Sequence, residues 1–368
     1  MKFRCEREVL GEALATAGRA ATSRTGTLPV LSGLRLEVRG DELSVTGTDL
    51  ELSIRLTIPV GGERDGAVVV PARLVADIVR SLPPGAVEVA LVDDGGGDEV
   101  SISAGRSQFA IRPLGLDDYP VQGEPATEAV TLSSSDVAEA LRQVVRAAST
   151  DDARAVLTGV LLTAEADGMR MVATDSYRLA VRDLPDSKML EEGQKVLVPS
   201  RALNELQRVL AGADELQVRL GARDAVFESG GTRLTTRLIE GEYPNYRNLL
   251  PPPHPNVLTV DREALLEALR RVKILAQEAK LVRLQLGGDT LVLTAVTQDI
   301  GKASEEIDAS YQGAEMTIAF NPDYLQQGVE AVDTEEVTLS TLDAMKPAVI
   351  RAVGRDDYLY LLMPVRVP

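Results

Sequence analysis

The segment EVLGEAL at residues 8–14 returns as DVAEAL at residues 136–141 and as EALLEAL at residues 263–269. The closing leucines Leu14, Leu141 and Leu269 are 127 and 128 residues apart, so the chain repeats itself twice at nearly one spacing. Self-similarity at a fixed period indicates a protein built from similar structural units. The sequence therefore predicts a triplicated fold.

Further matches keep the same order and nearly the same spacing. LSG at 31–33 returns as LTG at 157–159, TD at 48–49 returns at 174–175, VPAR at 70–73 returns as VPSR at 198–201, and YP at 119–120 returns at 243–244. The third copy is more diverged and has FNPD at 320–323 in place of the VPAR motif. Five matches in one order indicate three domains, which we place at 1–124, 125–252 and 253–368.

Within each predicted domain, helical and strand patterns follow one another. In the third copy Leu265, Leu269, Val272 and Ala276 form an apolar stripe at helical spacing, which predicts an amphipathic helix. Alternating residues at 34–39 and 43–46, separated by a turn at Gly40, predict a β-hairpin. A second helix is predicted after each VPAR-type motif. The domain boundaries fall at QGEP (122–125) and PPPHP (251–255), because proline stiffens linkers and ends helices. The fold class is α+β, with two helices packed on antiparallel sheets in each domain.

The predicted second helices carry cations at repeated positions. Leu74, Ile78 and Leu82 are expected to form the buried stripe of the first, with Arg73 and Arg80 on its exposed face. The full set of basic helix positions is Arg73, Arg80, Arg142, Arg146, Arg201, Arg208, Arg270 and Arg271. Each pair alone is compatible with a solvated helix surface. Their repetition favours a basic track that contacts phosphates without reading bases. The third copy has Asp323 and Glu330 at the equivalent positions, which predicts a weaker role there.

The composition favours a folded protein with an acidic exterior. Hydrophobic residues make up 44% of the chain, and the formal net charge is −17. An acidic chain argues against nucleic-acid binding only weakly, since salt screens charges beyond about 8 Å at physiological ionic strength. The single cysteine, Cys5, allows no internal disulfide and favours the cytoplasm. The charged N-terminal segment is unlike a secretory signal, and no stretch of about 18 apolar residues predicts a membrane span.

The sequence offers no catalytic set, metal site or cofactor motif. His254 is the only histidine and lies in the proline-rich linker, where we expect an exposed spacer residue. Because no other histidine exists, the rest of the chain offers neither a Ser-His-Asp nor a Cys-His arrangement. One histidine and one cysteine cannot form an ordinary zinc site. The acidic pairs at 117–118, 151–152 and 356–357 are expected in turns. The sequence therefore predicts a protein that is not an enzyme and uses no cofactor.

Several of these segments resemble the bacterial DNA polymerase III β subunit family, the sliding clamps. The resemblance rests on LPVL (28–31), TGTDLE (46–51), VPAR (70–73), VATDSYRLAV (172–181), GEYPNY (241–246), GAEM (313–316), FNPDY (320–324) and LLMPVRV (361–367). It covers essentially the whole chain in order. The chain departs from the family pattern at Ser176 and Tyr177, where many members have glycine followed by a basic or imidazole side chain. Val156 and Asn248 also differ from common family residues.

The resemblance implies a processivity factor that carries out no reaction. It implies a head-to-tail homodimer closed into a ring of six domains, which encircles duplex DNA without sequence specificity. It further implies a hydrophobic cleft for short linear motifs of the DNA polymerase III α subunit, the clamp loader, other polymerases and repair factors. By family motif, Arg24 is expected to face DNA as well. The implied cleft residues are Arg154, Leu157, Thr174, Tyr177, Arg178, Leu179, Pro244, Leu249, Asn321, Tyr324, Pro347, Met363, Pro364, Val365 and Arg366.

Three alternatives remain open at the level of the sequence. A specialised or drug-tolerant second clamp would share every motif and differ at the cleft substitutions. An open repeat scaffold would bind proteins and not DNA, and neutralising the repeated arginines would leave its function intact. An enzyme with clamp-like repeats would need a polar catalytic pocket, which the near absence of histidine disfavours.

Overall fold

The computed structural model describes residues 1–21, 28–93, 98–120, 123, 127–276 and 281–366. Arg24 and most of the predicted linker at 122–125 lie outside the described residues. Six α-helices are present in the described part of the chain, two in each predicted domain. No helix among these residues has the length and apolar character needed to cross a bilayer.

The elements of the three repeats follow the same order, except that the first repeat has one additional short strand, Gly61–Arg64. The first repeat contains β1 (Lys2–Glu6), α1 (Arg7–Gly18), β2 (Gly33–Arg39), β3 (Glu42–Thr48), β4 (Leu52–Pro59), β5 (Gly61–Arg64), β6 (Gly66–Pro71), α2 (Ala72–Ser81), β7 (Ala86–Asp93), β8 (Asp98–Ala104) and β9 (Ser107–Ile111). The second contains β10 (Val130–Ser133), α3 (Ser134–Val144), β11 (Gly159–Glu165), β12 (Gly168–Thr174), β13 (Arg178–Pro185), β14 (Lys195–Pro199), α4 (Ser200–Val209), β15 (Glu215–Leu220), β16 (Asp224–Ser229) and β17 (Thr232–Arg237). The third contains β18 (Asn256–Asp261), α5 (Arg262–Lys273), β19 (Val282–Gly287), β20 (Thr290–Thr297), β21 (Gly301–Gln312), β22 (Met316–Phe320), α6 (Pro322–Glu330), β23 (Glu336–Thr341), β24 (Ala348–Ala352) and β25 (Tyr358–Leu362). Each repeat therefore contains two half-units of one helix and several strands, in agreement with the two helices and antiparallel sheets predicted for each domain.

The strands form two large antiparallel sheets and one smaller sheet. The order β10-β15-β16-β17-β4-β3-β2-β6 gives an eight-stranded sheet, and β5-β1-β7-β8-β9 gives a five-stranded one. The twelve-stranded sheet has the order β14-β11-β12-β13-β25-β24-β23-β18-β21-β20-β19-β22. Strands of the second repeat therefore extend sheets of both its neighbours in sequence, β17 beside β4 and β13 beside β25.

The second repeat contributes strands to both large sheets. The chain therefore divides into two compact units, and the division runs through the second repeat. One unit comprises Met1–Ser134 and Arg208–Leu238, and the other comprises Ser135–Gln207 and Ile239–Pro368. The three domain boundaries at 1–124, 125–252 and 253–368 stay a prediction from the sequence repeat.

The helices pack on the sheets through the apolar stripes that the sequence indicated, with one exception. Leu265, Leu269 and Val272 of α5 are all at most 1% exposed. In α2, however, the prediction for Leu74 is wrong, since its side chain is 47% exposed. Ala72, Val75, Ile78 and Val79 form the buried face instead. The helix is short, and a shift of one position rotates its stripe by about 100°.

Two further predictions concern single residues. Cys5 is a buried residue of β1 and a free thiol, as expected. His254 is half-buried and not an exposed spacer, and its Nε2 atom is enclosed without a hydrogen-bond partner. Burial lowers the pKa of the His254 imidazole. Among the described residues, no cluster of three or more histidine, cysteine, aspartate or glutamate side chains could hold a metal ion.

Candidate functional site

A tight turn between β12 and β13 forms one wall of the predicted cleft. The Thr174 hydroxyl donates to the Arg178 carbonyl (2.6 Å) and accepts from the Ser176 amide (3.1 Å). The Asp175 carboxylate accepts from the amides of Tyr177 (2.9 Å) and Arg178 (3.0 Å). Ser176 has a φ of 80°, a left-handed conformation that favours glycine. The turn directs the Tyr177 side chain outward, where it is 60% exposed.

Arg178 lies directly behind this turn and is 8% exposed. Its Nε donates to Asp175 (3.1 Å), and its two terminal nitrogens donate to the Gln327 side chain, the Tyr360 hydroxyl and the Arg146 carbonyl. Burial alone would lower the pKa of the guanidinium, but Tyr360 and Asp175 outweigh burial and raise it. Arg178 is thus a buried cation with partners on both sides of the site.

Arg154 connects the turn to a neighbouring 3-10 segment, Asp152–Thr158. Its Nε pairs with the Asp151 carboxylate at 3.1 Å. Its terminal nitrogens donate to the Asp175 carbonyl, the Ser176 hydroxyl and the Ser149 hydroxyl, each at 3.2 Å. Its side chain is 39% exposed, so part of the guanidinium faces solvent. Leu157 of the same segment is 7% exposed. The segment therefore supplies a half-exposed cation above a buried leucine.

The C-terminal strand of the third repeat forms the opposite wall. β25 pairs with β13, with Leu361 opposite Leu179 and Leu362 opposite Arg178. Beyond β25, the Met363 amide donates to the Tyr177 carbonyl (2.9 Å), and the Val365 amide donates to the Ala319 carbonyl (2.8 Å). These two main-chain bonds hold the segment at 363–365 beside the turn of the second repeat.

Apolar side chains are exposed along this junction. Tyr177, Leu249, Met363 and Val365 are 60%, 51%, 40% and 37% exposed. Beneath them lies a buried cluster that includes Leu179, Leu361 and Val349, with Val156, Tyr243 and Leu250 packed against it in part. Pro347 precedes Ala348, which pairs with Leu362. Pro244 and Arg366 are exposed, and Pro364 is half-buried.

Asn321 and Tyr324 bring α6 to the same place. The Asn321 side chain caps α6 by accepting from the amides of Asp323 (2.9 Å) and Tyr324 (3.4 Å). The Tyr324 ring lies under the Arg178 guanidinium, 4.3 Å from its central carbon. The Tyr360 hydroxyl donates to the Tyr324 carbonyl at 3.0 Å. The sequence did not single out Asp175, Gln327 or Tyr360, although Asp175 belongs to the repeated TD motif.

The predicted DNA-facing arginines lie on five helical segments and differ in their surroundings. Arg73, Arg80, Arg201, Arg208 and Arg270 are exposed. Arg271 is 52% exposed, and Glu305 holds it through two hydrogen bonds of 3.0 Å. Arg142 is half-buried and donates to the Glu330 carbonyl, and Arg146 pairs with the Glu330 carboxylate at 3.0 Å. Glu330 therefore neutralises a cation of a neighbouring helical segment. Asp323 does the same for Lys273.

Comparison with known proteins matches all three repeats. Models of the N-terminal, central and C-terminal domains of the DNA polymerase III β subunit match residues 1–122, 131–245 and 247–366. The β sliding clamps of Streptomyces coelicolor and Synechocystis sp. are 35% and 34% identical to this chain, over the full length of both proteins in each pair.

The chain belongs to the β sliding clamp family. Solved clamps have the same fold over the whole chain. The Pseudomonas aeruginosa clamp bound to griselimycin has a TM-score of 0.91 at 31% identity, covering all of both chains. The Caulobacter crescentus (C. crescentus) clamp, with polyethylene glycol at a region proposed to tether the β-motif, has a TM-score of 0.92 at 28% identity, covering 100% of this chain and 99% of that one.

Family membership fixes the class of activity. β sliding clamps are DNA polymerase processivity factors and carry out no reaction themselves, so this chain is a processivity clamp and not an enzyme. The turn at Ser176 is also the place of a departure from the family pattern. A position with a φ of 80° suits glycine, and this clamp places serine there, whose hydroxyl accepts from Arg154.

Proposed function

We propose that two copies of this clamp close head to tail into a ring around duplex DNA, and that the junction between Tyr177 and Met363 receives client peptides. The clients are the DNA polymerase III α subunit, the clamp loader, other polymerases and repair factors, each through a short linear segment. The ring works in the cytoplasm on nucleoid DNA and holds the duplex without reading its sequence. A single observation supports the client site most strongly: the Met363–Tyr177 main-chain bond sets exposed apolar side chains of two repeats side by side.

The chemistry of the junction suits a linear peptide. Exposed leucine, methionine, valine and tyrosine side chains offer apolar anchoring surface, and methionine adapts to different anchors. The Arg154 guanidinium is bonded inside the protein but is 39% exposed, so its outer edge offers positive charge to a client carbonyl or carboxylate. A site with apolar anchors and few polar groups favours several clients that share a short motif.

Two features support ring closure between copies. The edge strand β9 of the five-stranded sheet exposes Phe109 to 37%. In the third repeat, Ile274 and Ile300 are 68% and 62% exposed. The Leu275 carbonyl accepts from the Thr297 hydroxyl, which brings the end of α5 to the β20–β21 turn that carries Ile300. An unpaired edge strand and an apolar patch are surfaces that a second copy covers in a stable dimer.

Negative-stain electron microscopy of the purified clamp tests this proposal. We expect closed rings with a central hole and six lobes. Ile274→Glu places a charge in the apolar patch and should replace the rings with half-size particles or open arcs. Val353→Glu, a substitution at a side chain that is 39% exposed in the β24–β25 turn, is the matched control and should leave the rings intact.

The same experiment separates the ring from the open scaffold. Compact particles or open arcs of the unmodified protein at micromolar concentration would refute closure and favour the scaffold. Rings that survive Ile274→Glu would remove this patch from the interface and leave closure standing.

A further inference from the structure

The turn that presents Tyr177 occurs a second time in the chain, in the first repeat. There the Thr48 hydroxyl donates to the Leu52 carbonyl (3.1 Å) and accepts from the Leu50 amide (3.1 Å). The Asp49 carboxylate accepts from the amides of Glu51 (3.1 Å) and Leu52 (2.8 Å). Leu50 has a φ of 79°, and Ser176 has a φ of 80°. The two turns share one hydrogen-bond pattern and one backbone conformation.

The residue at the last position differs between the two turns. Leu52 occupies it in the first repeat and Arg178 in the second, and each begins a strand, β4 or β13. Leu52 is 2% exposed. The turn therefore forms with a buried leucine at this position, and its geometry does not require an arginine.

A buried arginine is costly unless its charge and donors are matched. The Arg178 donors reach Asp175 of the turn, Gln327 of α6, Tyr360 of β25 and the main chain of Arg146. These partners belong to four separate segments. The turn does not need an arginine at this position. The contacts that Arg178 makes beyond Asp175 therefore show its contribution, which is to connect the turn to α6, to β25 and to the 3-10 segment Val145–Ala147.

The Tyr324 ring is the half-buried part of this arrangement that belongs to the predicted cleft. It lies against the Arg178 guanidinium at 4.3 Å, and its pKa is raised by burial, as expected for a partly desolvated ring. Such a cation–π contact, together with the Tyr360–Tyr324 hydrogen bond, fixes where the ring stands in the cleft. With its donors engaged inside the protein, Arg178 has little left to offer a client.

We propose that Arg178 is a positioning residue of the client cleft and not a ligand of the client: it sets Tyr324 and the Tyr177 turn at the spacing that a client peptide needs. This inference rests on the proposed client function of the cleft. From the sequence, Arg178 was expected to belong to the peptide-binding surface itself.

The test measures the dissociation constant of a dye-labelled peptide from the clamp-binding segment of the organism's own polymerase III α subunit, by fluorescence anisotropy. Arg178→Leu reproduces the first-repeat turn, so the turn should still form, and circular dichroism of the variant checks that it is folded. Its thermal midpoint should fall, because Asp175, Gln327 and the Arg146 carbonyl lose a buried donor. We expect its peptide affinity to fall roughly tenfold, the loss of about 1.4 kcal/mol. Arg178→Lys keeps the charge but lacks the planar fork, and it should lose affinity as well.

Two comparisons distinguish positioning from direct contact. In a Tyr324→Ala background, Arg178→Leu should cost about twofold or less, because the positioned ring is gone and the two substitutions share one effect. A peptide with amidated acidic side chains and C-terminus should show the same tenfold loss on Arg178→Leu as the acidic peptide.

The opposite results would overturn the inference. A loss that persists in the Tyr324→Ala background and disappears with the amidated peptide would mean that Arg178 binds a client carboxylate. An Arg178→Leu variant with unchanged affinity would make the residue irrelevant to the cleft. Failure of the unmodified clamp to bind the peptide would instead count against the proposed client site as a whole.

Discussion

Truncating Met363 to alanine tests the proposed client cleft at a side chain that the main chain holds in place. The Met363 amide donates to the Tyr177 carbonyl at 2.9 Å, a bond that alanine keeps. The substitution therefore removes only the apolar surface offered to a client. The Met363 side chain is 40% exposed, so about two fifths of it remains to be covered when a peptide binds.

That exposed fraction sets the size of the expected effect. Burying a whole methionine side chain contributes about 1.5–3 kcal/mol, so covering two fifths of one contributes roughly 0.6–1.2 kcal/mol. A loss of that size weakens binding about three- to eightfold, since about 1.4 kcal/mol corresponds to a factor of ten. A loss well above this range would indicate that Met363 also shapes neighbouring side chains, as hot-spot residues do.

Isothermal titration of the clamp with the polymerase α-subunit peptide measures the effect. Leu74→Ala is the matched control, because Leu74 is a similarly exposed aliphatic side chain (47%) on α2. It should leave the dissociation constant unchanged. An unchanged affinity for Met363→Ala would exclude this residue from the site. Equal losses for the two variants would show that the peptide does not recognise the junction at all.

Other predictions test DNA contact, backbone strain and the lone histidine. Replacing Arg73 and Arg80 with alanine should lower loading onto nicked circular DNA and shorten retention, with the difference shrinking at high salt and peptide affinity unchanged. Leu50 has a left-handed φ of 79°, a conformation that costs a residue other than glycine about 1–2 kcal/mol, so Leu50→Gly should keep or raise the thermal midpoint. Leu116 is similarly exposed but has no positive φ, so Leu116→Gly should lower the thermal midpoint. Burial lowers the pKa of the His254 imidazole in the folded protein below its unfolded value of about 6.5. The neutral imidazole therefore contributes fully to stability above the unfolded pKa, and this contribution is lost as the pH falls through the folded pKa. His254→Asn should therefore reduce the drop in thermal midpoint between about pH 7.5 and pH 5.5, and an equal drop in both proteins would contradict this.

Repetition in the sequence predicted the fold well because each repeat buries the same pattern of side chains. The α5 stripe at Leu265, Leu269 and Val272 is spaced for one helix face, and all three residues are buried. The α2 stripe failed at Leu74, because a helix of ten residues offers too few turns to fix the buried face by periodicity alone. His254 is half-buried, which the proline-rich composition of the linker did not indicate.

The residues predicted for the cleft remain a prediction, and the structure adds hydrogen-bond partners that the sequence did not indicate. Met363 and Tyr177 stand exposed, as anchoring surface should. Arg178 was expected to face a client, yet its partners Gln327 and Tyr360 lie 149 and 182 residues away in sequence. Local sequence patterns do not reveal contacts between residues that lie so far apart in the sequence. Whether a given arginine is a ligand or a support thus depends on tertiary packing.

The two junctions between successive repeats have the same backbone contact but different exposed side chains. In the first, the Arg237 amide donates to the Glu51 carbonyl at 2.9 Å, and in the second the Met363 amide donates to the Tyr177 carbonyl at the same distance. The backbone geometry is shared, but the exposed pair is charged at one junction and apolar at the other. An apolar pair gains free energy when a peptide covers it, whereas a charged pair must first lose its water. The proposed client site therefore depends on the side chains at the second junction, and exchanging the two pairs should change the affinity for apolar peptides more than any change to the turns themselves.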